Sequence, residues 1–308
     1  MKLVISASPH IDSGATTRKI MGDVLIALLP ALIAAVIIFG WRALLVTAVC
    51  AAACVFFEWG FEKLCHKPST IDDLSAVVTG VILAYNLPVS IPLWQAVFGC
   101  LVAIVAVKQL FGGIGKNFAN PALVGRIVLF LSFSKTMTAW VFPDAVSSAT
   151  PLAQLAAGQK PELWTLLLGN HGVCIGETCA LALILGGIYL VARRVISPVI
   201  PVTYLATAAV LSALLGRDPL MDILSGGLLL GAIFMATDYT TSPINFSARV
   251  IYAIGCGVLT ILIRQFASLP EGVSYSIVLM NILVPLIERV AKPQAFGKVK
   301  AKKAGDAK

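Results

Sequence analysis

Long apolar runs separated by short polar gaps repeat along the whole chain. Ten of them read as spans, at about 23–40, 44–61, 74–90, 93–110 and 120–133, then 175–192, 199–215, 221–237, 250–266 and 273–290. The longer ones can cross a bilayer as helices. A spanning segment must satisfy its own backbone hydrogen bonds, which argues for helix and against sheet. The pattern predicts an all-α polytopic membrane protein. One long stretch, 134–174, does not span; residues 1–22 read as a polar lead-in and 293–308 as a disordered basic tail.

The spans fall into two groups of five, 23–133 and 175–292. A weak repeat links them: DDLSAVVTGVILAYNLP at 72–88 resembles DILSGGLLLGAIFMATD at 222–238, and NPALVGR at 120–126 resembles NILVPLIER at 281–289. An odd number of spans per unit makes the two units run in opposite senses, the pattern of an inverted-topology repeat. Such folds bind ligands where the halves meet, beside interrupted helices. Asn86 with Pro88, Asn120 with Pro121, Asp238 with Pro243 and Asn281 with Pro285 are the candidate interruptions. Ordinary helix-end chemistry also accounts for each of them singly.

Charge then orients the spans. With a cytoplasmic N-terminus, all but six of the 23 Lys and Arg residues fall inside, the exceptions being Arg42, Arg126, Lys135, Lys160, Arg217 and Arg264. Both termini are then cytoplasmic and 134–174 extracytoplasmic. Composition agrees with a membrane protein: 58% of residues are hydrophobic and 12% charged, where a soluble domain carries about twice that share of charge. Mean hydropathy is +0.93. The net charge of +8 lies in short connections and the tail, not on an aromatic-studded face, so nucleic acid is not an expected partner. The first apolar run is too long, and followed by too many others, for a cleaved signal peptide.

Two polar gaps carry Ser-x-Ala-Thr: IDSGATTRK at 11–19 and DAVSSATPL at 144–152. In the first, Asp12 and Ser13 suit a helix cap, and Thr16 and Thr17 fit ordinary helix-start chemistry on the cytoplasmic side. In the second, Thr150 precedes Pro151, which suits a first helical turn, and PLAQLAAG reads as a short helix ended by Gly158. Thr150 is therefore an N-cap. Its hydroxyl either only caps that helix or, being where free N–H groups favour an anion, carries an esterified phosphate. Ser147, Ser148 and Ala149 are small enough for a modifying enzyme to grip the strand. An unaided threonine hydroxyl is a poor nucleophile, so such an ester needs a dedicated transferase.

With SPHI at 8–11, FGGIGKNFANPALVGR at 111–126, DAVSSATPL at 144–152 and ATDYTTSP at 236–243, in that order, the chain resembles the RnfD/NqrB family over essentially all of residues 1–292. These are membrane subunits of the Rnf ferredoxin:NAD oxidoreductase and of the sodium-pumping NADH:quinone oxidoreductase. The short lead-in, about 22 residues before the first span, fits the RnfD branch; NqrB-like chains carry a longer extension. The resemblance implies FMN bound through a phosphoester to Thr150, installed from FAD by a flavin transferase on the extracytoplasmic side. Ser148 stands where the family usually has Gly. It further implies a second, non-covalent flavin (riboflavin) between the repeats, with Ser147, Ser148, Asn120 and Asp238 among the cofactor-binding residues. It also implies Rnf-type membrane and iron–sulfur partner subunits, a bacterial inner-membrane location, and electron flow between ferredoxin and NAD coupled to Na+ or H+ export. A urea-transporter-like channel without flavin is the competing class, because fold alone does not separate the two.

The remaining motifs add less. FGGIGKN lacks the Ser or Thr and the upstream Gly of a P-loop. The seven cysteines form no CxxC; five lie in or at the ends of spans, and Cys174 and Cys179 could pair only if the helix start allows it. His10, His66 and His171 share no ligand spacing, so no metal site is expected. A charge at the bilayer centre costs about 2.5–3.5 kcal/mol, so Asp72, Asp73, Asp222, Glu58, Glu177 and Glu288 are expected at the interface, leaving Asp238, opposite Asn86 in the repeat, as the acid to test.

Overall fold

The structure, a computed structural model, describes residues 14–140, 150–156, 162–169, 172–267 and 272–292. These residues form helices and no strand. In the first half α1 is Thr17–Phe39, α2 Trp41–Leu64, α3 Ser75–Tyr85, α4 Leu93–Gln109 and α5 Pro121–Ser132. Short helices α6 (Ser134–Met137), α7 (Pro151–Ala156) and α8 (Leu163–Leu168) link the halves. The second half has α9 (Ala180–Ala192), α10 (Val199–Leu214), α11 (Pro219–Leu224), α12 (Leu228–Leu230, continued by π turns over Gly231–Met235), α13 (Phe246–Phe266) and α14 (Val273–Val290). Helices α1, α2, α13 and α14 are long and apolar enough to cross a membrane, and five shorter apolar helices pack among them. The chain is a polytopic all-α membrane protein.

Several boundaries differ from the hydropathy reading, each for a local reason. α1 starts within the expected polar lead-in because the Thr16 hydroxyl accepts the Lys19 N–H at 3.3 Å and caps it there. The expected span 221–237 is broken in two: Gly226 and Gly227 take φ of +62° and +69°, a left-handed pair that glycine adopts without strain. The expected spans at 74–90 and 175–192 shrink to α3 and α9, because Asn86 caps the first and a 3-10 turn at Ile175–Glu177 precedes the second.

Packing repeats between the halves. α2 packs on α3 and α4 as α10 packs on α12 and α13, and α4 meets α5 as α13 meets α14. The halves join where α1 crosses α9 and α5 crosses α14. At the first crossing a Cβ on Gly186 would overlap the Ala27 carbonyl, so only glycine permits that approach.

A buried cation near the end of the fourth long helix of each half ties it to the start of the third. Lys108, near the end of α4, donates to both Glu58 oxygens on α2 at 2.7 and 2.8 Å and to Ser75 Oγ, at the start of α3, at 2.6 Å. Arg264, near the end of α13, donates to the carbonyls of Asp222, Ser225 and Gly226 before α12 at 2.6, 2.9 and 3.0 Å. The start of α12 lies beside the Tyr85 end of α3, since Glu177 touches Gly227 while Gly176 touches Tyr85. The two anchors therefore sit at opposite ends of the bundle, and the halves run in opposite senses.

Glu58 is fully buried, so removing its cation leaves an uncompensated charge. Lys108→Met should destabilise the protein by about 3–5 kcal/mol. Adding Glu58→Gln should restore most of that loss, measured as thermal unfolding in detergent.

Candidate functional site

Thr150 is the N-cap of α7. Its Oγ1 accepts the Ala153 N–H at 3.3 Å, and its carbonyl accepts the Gln154 N–H at 2.9 Å. The side chain is partly exposed. α7 rests on α11, and Leu152 lies against Gly226. Thr16 makes the same 3.3 Å cap bond at the start of α1, so cap geometry alone does not separate the two threonines; position does. Ser147, Ser148 and Gly158 lie outside the described residues.

At the other end of the bundle a cleft of about 80 Å³, open at its mouth, lies between the halves. Asn120 and Asp238 both line it, together with Met21 of α1, Phe234 of α12, Lys108 and Asn117. Asn120 caps α5, accepting from the Ala122 and Leu123 N–H groups at 3.1 and 3.4 Å, while its Nδ2 donates to the Met235 carbonyl at 3.3 Å. Asp238 follows α12 and accepts from the Thr240 and Thr241 hydroxyls at 3.0 and 3.1 Å. Burial pushes its carboxyl pKa up, and those hydroxyls oppose the shift. The Asn117 side-chain oxygen is buried in this wall without a partner among the described residues.

The structure thus brings Asn120 and Asp238 together and sets Thr150 apart from both. The other expected interruptions converge elsewhere. Asn86 donates to Ile82 O at 2.7 Å and touches Met235 Sδ at 3.8 Å. The Asn281 amide bonds the Tyr252 hydroxyl at 2.7 Å and, oriented to satisfy its partners, accepts the Asn120 N–H at 3.1 Å. Three asparagines from the two halves therefore meet around Met235, between the cleft and the Thr150 end. Asp238 and Asn86, matched in the repeat, have different surroundings: Asn86 lies in this knot and Asp238 on the cleft.

Of the acids near span ends, Glu58, Glu177 and Asp222 are buried among protein atoms. Each lies beside a cation: Lys108 of α4 for Glu58, Arg217 of the turn before α11 at 2.7 Å for Asp222, and Arg126 of α5 at 3.8 Å for Glu177. Hydropathy does not show this, because pairing across helices is a tertiary property; the DDLS and DILS repeat is the signal that marks two of the sites. Cys174 and Cys179 are free thiols that donate separately to the Asn86 and Leu167 carbonyls, each at 3.3 Å, and so do not pair.

The sequence matches the NQR2, RnfD, RnfE family over residues 4–297. It is 48% identical to the D-type subunit of the Na(+)-translocating ferredoxin:NAD(+) oxidoreductase complex of Acetobacterium woodii, covering 100% of this chain and 99% of that one. It is 39% identical to the D-type subunit of the proton-translocating ferredoxin:NAD(+) oxidoreductase complex of Clostridium ljungdahlii, over 95% of this chain and 96% of that one. The corresponding subunit of an ion-translocating oxidoreductase complex from Stutzerimonas stutzeri is 38% identical over 91% and 92% of the two chains. With the family pattern matched from end to end, this chain belongs to the NQR2, RnfD, RnfE family.

Proposed function

We propose that this chain is the membrane redox subunit of an ion-translocating ferredoxin:NAD oxidoreductase complex. In this reading it carries FMN esterified to Thr150 and a second flavin held without a covalent bond in the cleft. The observation that carries the reading is a partly exposed cap hydroxyl on Thr150, at the bundle end opposite the cationic one, in a chain matched along its full length by D-type subunits of such complexes. Arg18, Lys19, Lys63, Lys67, Arg193, Arg194 and Arg249 cluster at the cleft end, which the positive-inside rule assigns to the cytoplasm. Thr150 then faces the outer side, where a flavin transferase would work.

The fit of each group rests on the chain's own atoms. At Thr150, a phosphoester would take the place of the hydroxyl that now accepts the Ala153 N–H, leaving the first-turn N–H groups of α7 to bind phosphate oxygens. In the cleft, the unpartnered Asn117 oxygen can accept a ring N–H, while Phe234 and Tyr239 offer aromatic surface. Bound flavin would supply exchange between one- and two-electron carriers. The single-electron carriers belong to iron–sulfur partner subunits of the complex.

On a denaturing gel, the band from cells that contain the transferase should fluoresce. Thr150→Ala should abolish the fluorescence and Thr16→Ala should leave it, with an added FMN mass on the 136–160 peptide. A dark wild-type band, or labelling that locates residue 150 in the cytosol, would overturn the covalent site and favour a channel. For the cleft, Asn117→Leu removes one acceptor worth about 0.5–1.5 kcal/mol. Extractable flavin should bind up to about tenfold more weakly, and unchanged retention would remove the cleft as its site.

A further inference from the structure

Glu177 closes the 3-10 turn before α9, with its side chain 2% exposed. Neither of its carboxylate oxygens has a hydrogen-bond partner among the described residues. The nearest charge is Arg126 Nη2 on α5 at 3.8 Å, beyond hydrogen-bond reach. Arg126 is held elsewhere, donating through Nη1 to Asn86 Oδ1 at 3.1 Å and Ser274 Oγ at 2.7 Å. Arg264, on α13, is fixed by three carbonyls. Asp222, in the same core, is fully engaged by Ser212 and by Arg217 through two 2.7 Å bonds. The two acids of this core are therefore unlike, and it is Glu177 that lacks partners.

The groups facing it decide what it can bind. From α5 and α13 come the two guanidinium groups. From its own segment comes the Cys174 thiol, while the Asp222 carboxylate of α11 is paired with Arg217. From α12 comes the bare Gly227 backbone, which the carboxylate touches, and from α3 the Tyr85 ring packed on Gly176. A metal ion would find two oxygens and two positive charges, a poor site. A proton instead removes a buried charge that has no hydrogen bonds. A cavity of about 20 Å³ lined by Arg126, Ser274, Tyr275 and Trp140 has room for one water, and the buried Tyr275 hydroxyl there is unpartnered among the described residues. A water there would touch Arg126, the cation nearest Glu177.

We propose that Glu177 is a proton-binding site whose occupancy is coupled by charge to an electron on the flavin at Thr150; the coupling, though not the site, rests on the function proposed above. The step is a protonation: a hydronium ion from bulk water gives up one proton and becomes water, the proton forms an O–H bond on the carboxylate, and no electron moves in it. Loss of the negative charge leaves Arg126 and Arg264 less compensated. Arg264 holds the Gly226 carbonyl, and Leu152 of α7 lies on Gly226, so the added positive potential reaches the foot of the helix that Thr150 caps. An electron there is stabilised, and by linkage the electron in turn raises proton occupancy of Glu177.

The test is infrared difference spectroscopy of the intact purified complex through a pH series, with a redox titration of the covalent flavin and a denaturing gel from the same preparation. The wild type should show a carboxylic-acid carbonyl band that grows as pH falls. Glu177→Gln should lose the band, raise the flavin midpoint potential and flatten its pH dependence, while Glu177→Asp should keep the band at a shifted position. A band unchanged in Glu177→Gln overturns the proton site; if that variant does not assemble, a band unshifted in Glu177→Asp does the same. A band lost with the midpoint's pH dependence unaltered overturns the coupling alone. A dark gel band shows instead that the Thr150 flavin reading has failed, and the pH series still decides whether Glu177 holds the proton.

Discussion

Helices α3 and α12 stop inside the bundle, and the polar groups freed at their ends must find protein partners because lipid offers none. At eleven residues, α3 is too short to cross a hydrocarbon core about 30 Å thick. Its terminal Asn86 and the end of α12 at Met235 are closed by each other, by Asn120 and, through Asn120, by Asn281. This knot fixes much of what surrounds it. It places the cap of α5 against the far half, turns Arg126 toward Asn86, and divides the interior into a cleft on one side and a charged core on the other.

The two buried cations answer the same constraint once in each half. Lys108 meets a carboxylate and a hydroxyl, while Arg264 meets backbone carbonyls. The planar guanidinium reaches several carbonyls at once, which suits a turn built on two glycines that offer no side chains. The ammonium suits the point-like Glu58 site. The repeat has kept the location and changed the chemistry, so the two ends of the molecule are alike in architecture and different in charge.

Much of this is legible in the chain. The ten apolar runs, the five-plus-five division and the DDLS and DILS pair point to the inverted halves, and Thr150 before Pro151 points to the cap. Of the proline-marked asparagines, Asn86 and Asn120 do stand at helix ends, but α14 runs unbroken through Asn281 and Pro285, so no interruption occurs there. What escapes is burial. Glu58, Glu177 and Asp222 lie near the ends of apolar runs, where position along the chain suggests contact with water, yet protein atoms cover all three. For Glu58 and Glu177 the cations come from other helices, tens of positions away, which hydropathy cannot register. The start of α1 also departs from the hydropathy pattern, because a threonine cap outweighs the polar composition of the residues that follow it.

The crossing of α1 and α9 has one more implication. Gly186 brings its backbone against the Ala27 carbonyl with no side chain between them, so the halves are pinned there main chain to main chain. Any larger residue at position 186 would push the two backbones apart, and with them the two halves, so the seam between the halves hangs on the absence of one methyl group.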